Sequence, residues 1–216
     1  MERKAPFQAA VLAAIVAFVC AILLGFVFRA PDPGVSLQPV TPGPAAEFVR
    51  PINDYPELML RFLASDTLFV LSYLVVFAGL YATVADRARV VAIVGLGAGV
   101  LTALFDATEN AYFVTYAAAS LNGVPLTDPD VSTVYVLANL KWAGAFATLY
   151  AFGLAWPRGD RLGWIISALM LLFVLVGVLG IAVPGLIPLR GIFFLAGMPL
   201  FAWHFWRQSQ RVKRDV

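Results

Sequence analysis

The sequence predicts an all-α, polytopic membrane protein: a six-transmembrane-helix bundle with a Pro-rich external loop after the first helix. Three observations carry that expectation. The chain is 61% hydrophobic and only 13% charged, where a soluble domain carries about 25% charged residues, and its mean hydropathy is +0.85. Its apolar residues gather into six stretches of the roughly 20 residues that a helix needs to cross a bilayer. Lys and Arg collect in alternate connections, as the positive-inside rule requires. The 216 residues suffice for a single integral membrane domain, 1–216.

The six predicted spans are 7–28, 58–84, 89–119, 132–156, 162–183 and 188–206. The first follows Glu2, Arg3 and Lys4. It is longer than a signal-peptide core and lacks a small-residue exit, so it reads as a retained helix. The second and third meet at Arg87 and Arg89, and the third exceeds the bilayer by about two turns, so one end should project or tilt. The fourth and fifth are joined across Arg158 and Arg161. The sixth holds Pro199, which should kink it, and runs into Arg207, Arg211, Lys213 and Arg214. The connection 120–131 has no Lys or Arg and carries Asp128 and Asp130. This alternation places both termini in the cytoplasm, with the protein in the cell (plasma) membrane. Trp156, Trp164, Trp203 and Trp206 fall at the same inner boundary, as an aromatic belt would. The segment 29–57 holds seven of the fourteen prolines and is expected to be an irregular external cap rather than a helix.

Polar residues inside the spans are the strongest functional signal. Asp66, Asp106, Glu109 and Lys141 lie in segments otherwise apolar enough to span, where an ionised group costs roughly 2.5–3.5 kcal/mol or more unless it is paired, hydrated or functional. Asn110, Asn139 and Arg190 join them. Counted at 1.5 Å per residue from the inner boundary, these groups stand roughly 22–29 Å up a core about 30 Å thick. Four helices thus place polar groups in one outer layer. Asp106, Glu109 and Asn110 are spaced i, i+3, i+4 and share one helix face. Two carboxylates so close repel, so a shared proton is expected. Lys141 and Arg190 are the natural counter-ions. The formal sum with Asp66 leaves one excess negative charge, which one bound proton or cation would neutralise. A closed network that merely holds the helices in register is the competing expectation.

Other chemistries are bounded by what is scarce. Cys20 is the only cysteine and His204 the only histidine. An internal disulfide, a thiolate zinc site and a cysteine-held iron–sulfur cluster are therefore excluded, as is two-histidine haem ligation. No metal ligand set and no cofactor is implied, and nothing points to nucleic acid. Gly95, Gly97 and Gly99 suggest close helix approach. They are not a dinucleotide loop, since no strand precedes them. Ser65 lacks a histidine base at its depth. Tyr73, Tyr112 and Tyr116 read as belt or packing residues. No internal repeat is visible, which weakens an inverted-repeat transporter reading.

Three short motifs carry a resemblance: Ser65-Asp66 with Phe69 and Tyr73, Asp106-x-x-Glu109-Asn110, and Lys141-Trp142. Together they resemble a family of uncharacterised bacterial multi-pass membrane proteins, which brings no assigned activity. Alkaline ceramidases also place acids in a helical bundle, but this chain lacks their zinc-binding histidines. The expected partners are membrane lipid and a small-molecule or lipid ligand. The leading expectation is an outward cavity that binds or transports a small cationic or amphipathic molecule. The alternatives are an intramembrane lipid-modifying enzyme using carboxylate acid/base chemistry, and a structural accessory subunit.

Overall fold

In a computed structural model, residues 4–32, 35–37, 45–127 and 131–211 are described. Among them are seven α-helices: α1 (Lys4–Ile22), α2 (Ala45–Asp54), α3 (Pro56–Val84), α4 (Arg89–Leu121), α5 (Val131–Ala155), α6 (Arg161–Ala182) and α7 (Leu189–Arg211). A π-helical turn, Leu23–Val27, extends α1, and a 3-10 turn, Pro184–Leu186, precedes α7. The predicted positions of Arg3, Pro39, Asp128, Asp130, Lys213 and Arg214 lie outside the described residues.

Six long helices pack in a closed ring in the order α1, α3, α4, α5, α6, α7, with α7 returning to α1. Five candidate spans are long and apolar enough to cross a membrane: Ala5–Val27, Pro56–Val84, Arg89–Leu121, Arg161–Ala182 and Pro184–Arg211. α5 is the exception. It is 25 residues long, but Asn139, Lys141 and Trp142 dilute its apolar content, so length alone supports its expected span. The ring is apolar outside: Leu12, Leu71, Leu104, Leu172 and Ile181 are all exposed. Its charged residues Asp66, Asp106, Glu109 and Lys141 are buried, the reverse of a soluble bundle.

Small residues set the helix spacing. Side chains of Ala10 (α1) and Phe205 (α7) stand directly over Gly79 on α3. On α4, Gly95 receives Phe152 and Ala151 of α5, while Gly99 receives Phe77 of α3. Gly97 faces open space. The i, i+4 pair Gly95 and Gly99 thus brings two neighbours close, where dispersion contacts rather than water exclusion hold helices in lipid. Gly123, at φ +81°, ends α4 in a conformation that favours glycine.

The segment expected to be irregular contains a helix. α2 buries Phe48, Pro51 and Ile52 at i, i+3, i+4, and Phe48 packs 5.3 Å from Phe113 of α4 and 6.5 Å from Tyr135 of α5. Pro51 forgoes one backbone hydrogen bond, and burial of this stripe outweighs the loss. Pro56 opens α3 at its first turn, a position that needs no donor. Asn53 bonds both backbone groups of the turn after α4, donating to Leu126 O and accepting from Leu126 N at 2.9 Å each. α2 is therefore a cap packed across one end of α3 and α4.

The opposite end carries Arg87, Arg89, Arg158, Arg161, Arg207 and Arg211. Asp160 caps α6 by accepting from Gly163 N at 2.8 Å and pairs with Arg207 of α7 at 2.9 Å. Arg158 donates to Gly153 O and Ser167 Oγ, each at 3.0 Å. Trp164, Trp203 and Trp206 are exposed here. Trp156 departs from the expected belt: it is 1% exposed and packs 4.8 Å from the His204 ring. It lies just past the end of α5. α7 runs through Pro199 as one helix.

Candidate functional site

The polar layer forms where α3, α4 and α5 meet. On α3, Asp66, Phe69 and Tyr73 share a face at i, i+3, i+7. On α4 a single buried stripe runs through Thr102, Asp106, Glu109, Asn110 and Phe113. Lys141 enters from α5 and is 9% exposed.

Lys141 is the hub. Its Nζ lies 2.8 Å from Asp106 Oδ1 and also pairs with Glu109 Oε2. The second Asp106 oxygen accepts the Tyr73 hydroxyl at 3.0 Å. Both oxygens of Asp106 are thus engaged, and one lysine serves two carboxylates one helical turn apart. Asp66 is 6% exposed and faces the Asn110 amide and the Asp106–Lys141 pair. Its Oδ2 is buried and accepts no hydrogen bond among the described residues. Burial of an unpaired carboxylate oxygen is costly, which leaves Asp66 with unmet demand, as it does the facing Asn110 amide, whose Nδ2 and Oδ1 also lack a partner among the described residues.

A cavity of about 930 Å³ lies against this cluster, inside the ring and toward the end capped by α2. Asp66, Asp106, Lys141, Tyr73, Trp142 and Arg190 line it. Leu24 and Phe26 of the π turn contribute to its apolar wall, and π turns recur at functional positions. Near the mouth, Asp32 is held by Arg50 at 2.6 Å, and exposed Arg29 donates to Gly25 O at 3.1 Å. Glu109 and Asn110 do not line the cavity; Glu109 pairs with Lys141, which does.

The expected residues therefore divide. Asp66, Asp106, Glu109, Asn110 and Lys141 come together. Asn139 does not: it is exposed on α5. At 100° per residue, two positions before Lys141 is the far side of the helix. Arg190 reaches the cavity but is not a counter-ion to the acids. It is 9% exposed, donates from Nη2 to Gly177 O at 2.9 Å, and lies over the rings of Trp142 at 4.7 Å and Phe146 at 5.4 Å.

Two residues of the site entered the sequence reading as members of the resemblance motifs, without a functional role. Tyr73 read as packing, although its i+7 relation to Asp66 places both on one face. Trp142 was noted only as the neighbour of Lys141, and its ring carries the Arg190 guanidinium. Among the described residues, no group of three or more His, Cys, Asp or Glu side chains is arranged to hold a metal ion. No protein-family model, no curated protein and no solved structure matches the chain, so its geometry alone must speak for its function.

Proposed function

We propose that this is an integral membrane protein that binds, or carries across part of the bilayer, a small cationic or amphipathic ligand or a lipid. The ligand's polar end sits at Asp66 and its apolar part in the cavity. One observation carries the reading: Asp66 lies on the wall of a cavity of about 930 Å³ with an oxygen that accepts no hydrogen bond among the described residues, while Lys141 beside it is committed to Asp106 and Glu109. The volume falls within the roughly 300–1,000 Å³ of small-molecule sites. Asp106, Glu109 and Lys141 form the rigid base of the site, and Asp66 is its acceptor.

The cavity opens in the outer half of the bilayer, with both termini cytoplasmic. Arg87, Arg89, Arg158, Arg161, Arg207 and Arg211 support that orientation, since they fall in connections or helix ends on one side of the ring and short positive loops stay inside.

The reading is tested with Asp66→Asn in the purified protein, using an alkyltrimethylammonium as probe. Wild type should gain thermal stability with probe concentration, as any native-state ligand requires. The variant should fold, and the concentration needed for the same gain should rise about tenfold or more, the equivalent of about 1.4 kcal/mol. Equal stabilisation of wild type and variant would remove Asp66 from the site.

A further inference from the structure

Resting on that reading, we infer that the cavity recognises a zwitterionic amphiphile, with Asp66 taking the cationic group, Arg190 the anionic group and the apolar wall the chain. Once Lys141 is paired with Asp106 and Glu109, two buried charged side chains on the cavity wall are left without an ion pair among the described residues: Asp66 and Arg190. They carry opposite charges and come from α3 and α7, which are separated in the ring by α1.

Arg190 is built as a receptor rather than as a surface charge. It is 9% exposed, so the usual escape of a long side chain to water is closed. A guanidinium keeps its proton and offers five N–H donors in a planar fork. Here one of them reaches the Gly177 carbonyl, and buried Nε meets no acceptor among the described residues. Stacking on Trp142 and Phe146 fixes the plane of the fork. A rigid, under-used guanidinium suits a phosphate or carboxylate, which it can grip with two parallel bonds. A plain cation would satisfy Asp66 and leave Arg190 uncompensated. A plain anion would do the reverse. A molecule with an ammonium and a phosphate or carboxylate on one apolar chain answers both.

Dodecyltrimethylammonium and dodecylphosphocholine share a chain and a quaternary ammonium, and the second carries a phosphate and an ethylene bridge between the two. Their affinities for the full-length protein in maltoside micelles test the inference. Wild type should bind the phosphocholine about tenfold tighter, the gain of a charge-assisted contact. Arg190→Gln should reduce that preference to about twofold or less without weakening the simple ammonium, whose binding loses a like charge from the same wall, and Arg190→Lys should keep part of the preference. Asp66→Asn should weaken both probes. A phosphocholine preference that survives in Arg190→Gln, or no preference in wild type, overturns the zwitterion inference and leaves the cation site standing. Failure of wild type to bind either probe overturns the parent reading as well. Nanodiscs identify the source of the ligand. Selective stabilisation by phosphatidylethanolamine over phosphatidylglycerol assigns the zwitterion to the bilayer, and equal stabilisation with the probe preference intact assigns it to a single-chain amphiphile.

Discussion

At the scale of single residues, Lys141 decides whether the site exists. It is buried, with two carboxylates against its ammonium. Deleting one partner of a buried ionic cluster costs about 3–5 kcal/mol, because the charges left behind have no water to return to. Lys141→Met should therefore lower the unfolding midpoint sharply in a detergent melt. Adding Asp106→Asn and Glu109→Gln to that variant should restore much of the loss, since the stranded charges go with it. Recovery would mean that the cost lay in unpaired charge rather than in lost shape. The cluster was legible in the sequence because a charged residue in an apolar run has few reasons to be there. Asn139 and Arg190 show the limit of that logic. Counting residues along a helix gives height but not direction, and two residues at one height can face opposite ways. Tyr73 and Trp142 were hidden for another reason: in a chain with 17 Phe, 7 Tyr and 5 Trp, an aromatic residue is background.

Among the elements, the junction of α5, α6 and α7 is held at its polar end by Asp160. The Gly163 amide donating into its carboxylate, and then the Arg207 guanidinium, hold this carboxyl below the usual carboxylate range. The sign follows directly. The folded form gives up the proton more readily than the unfolded chain, so the contribution is complete above the ordinary carboxylate pKa and is lost as pH falls through and below it. Melting midpoints should therefore drop on acidification below about pH 4, and the drop should be smaller in Asp160→Ala. At neutral pH that variant should be weaker by about 1 kcal/mol, the usual worth of a helix N-cap. Element boundaries were largely readable because loops carry the arginines and helices the apolar runs. α2 was not. Its amphipathic stripe is only three residues deep, and the prolines around it dominate any reading by composition.

For the whole molecule, the closed ring of six long helices makes orientation the property to measure next. Cys20 is the only cysteine and is buried, so single engineered cysteines report cleanly. Val124→Cys, beyond α4, should react with a membrane-impermeant maleimide on intact cells. Gly159→Cys, in the α5–α6 connection, should react only after the membrane is opened. Both positions are exposed, so the opposite pattern would invert the proposed topology. The ring order was not legible from the sequence. Period and polarity identify which face of a helix turns inward, but the neighbour it meets is fixed by the fit of side chains such as Phe77 and Phe152 over Gly99 and Gly95.

The dilution of α5 has a consequence for how the protein is made. On its own, this segment presents Asn139, Lys141 and Trp142 to the translocon, where a central lysine is charged about 2.5–3.5 kcal/mol against partitioning into lipid. Its complement leaves the ribosome just before it, on α4, in the form of Asp106 and Glu109. The two segments should therefore enter the bilayer as a paired hairpin, the lysine matched by carboxylate, rather than in sequence. In a glycosylation-reporter assay, α5 alone should integrate poorly, α4 and α5 together efficiently, and the pair carrying Asp106→Leu and Glu109→Leu poorly again.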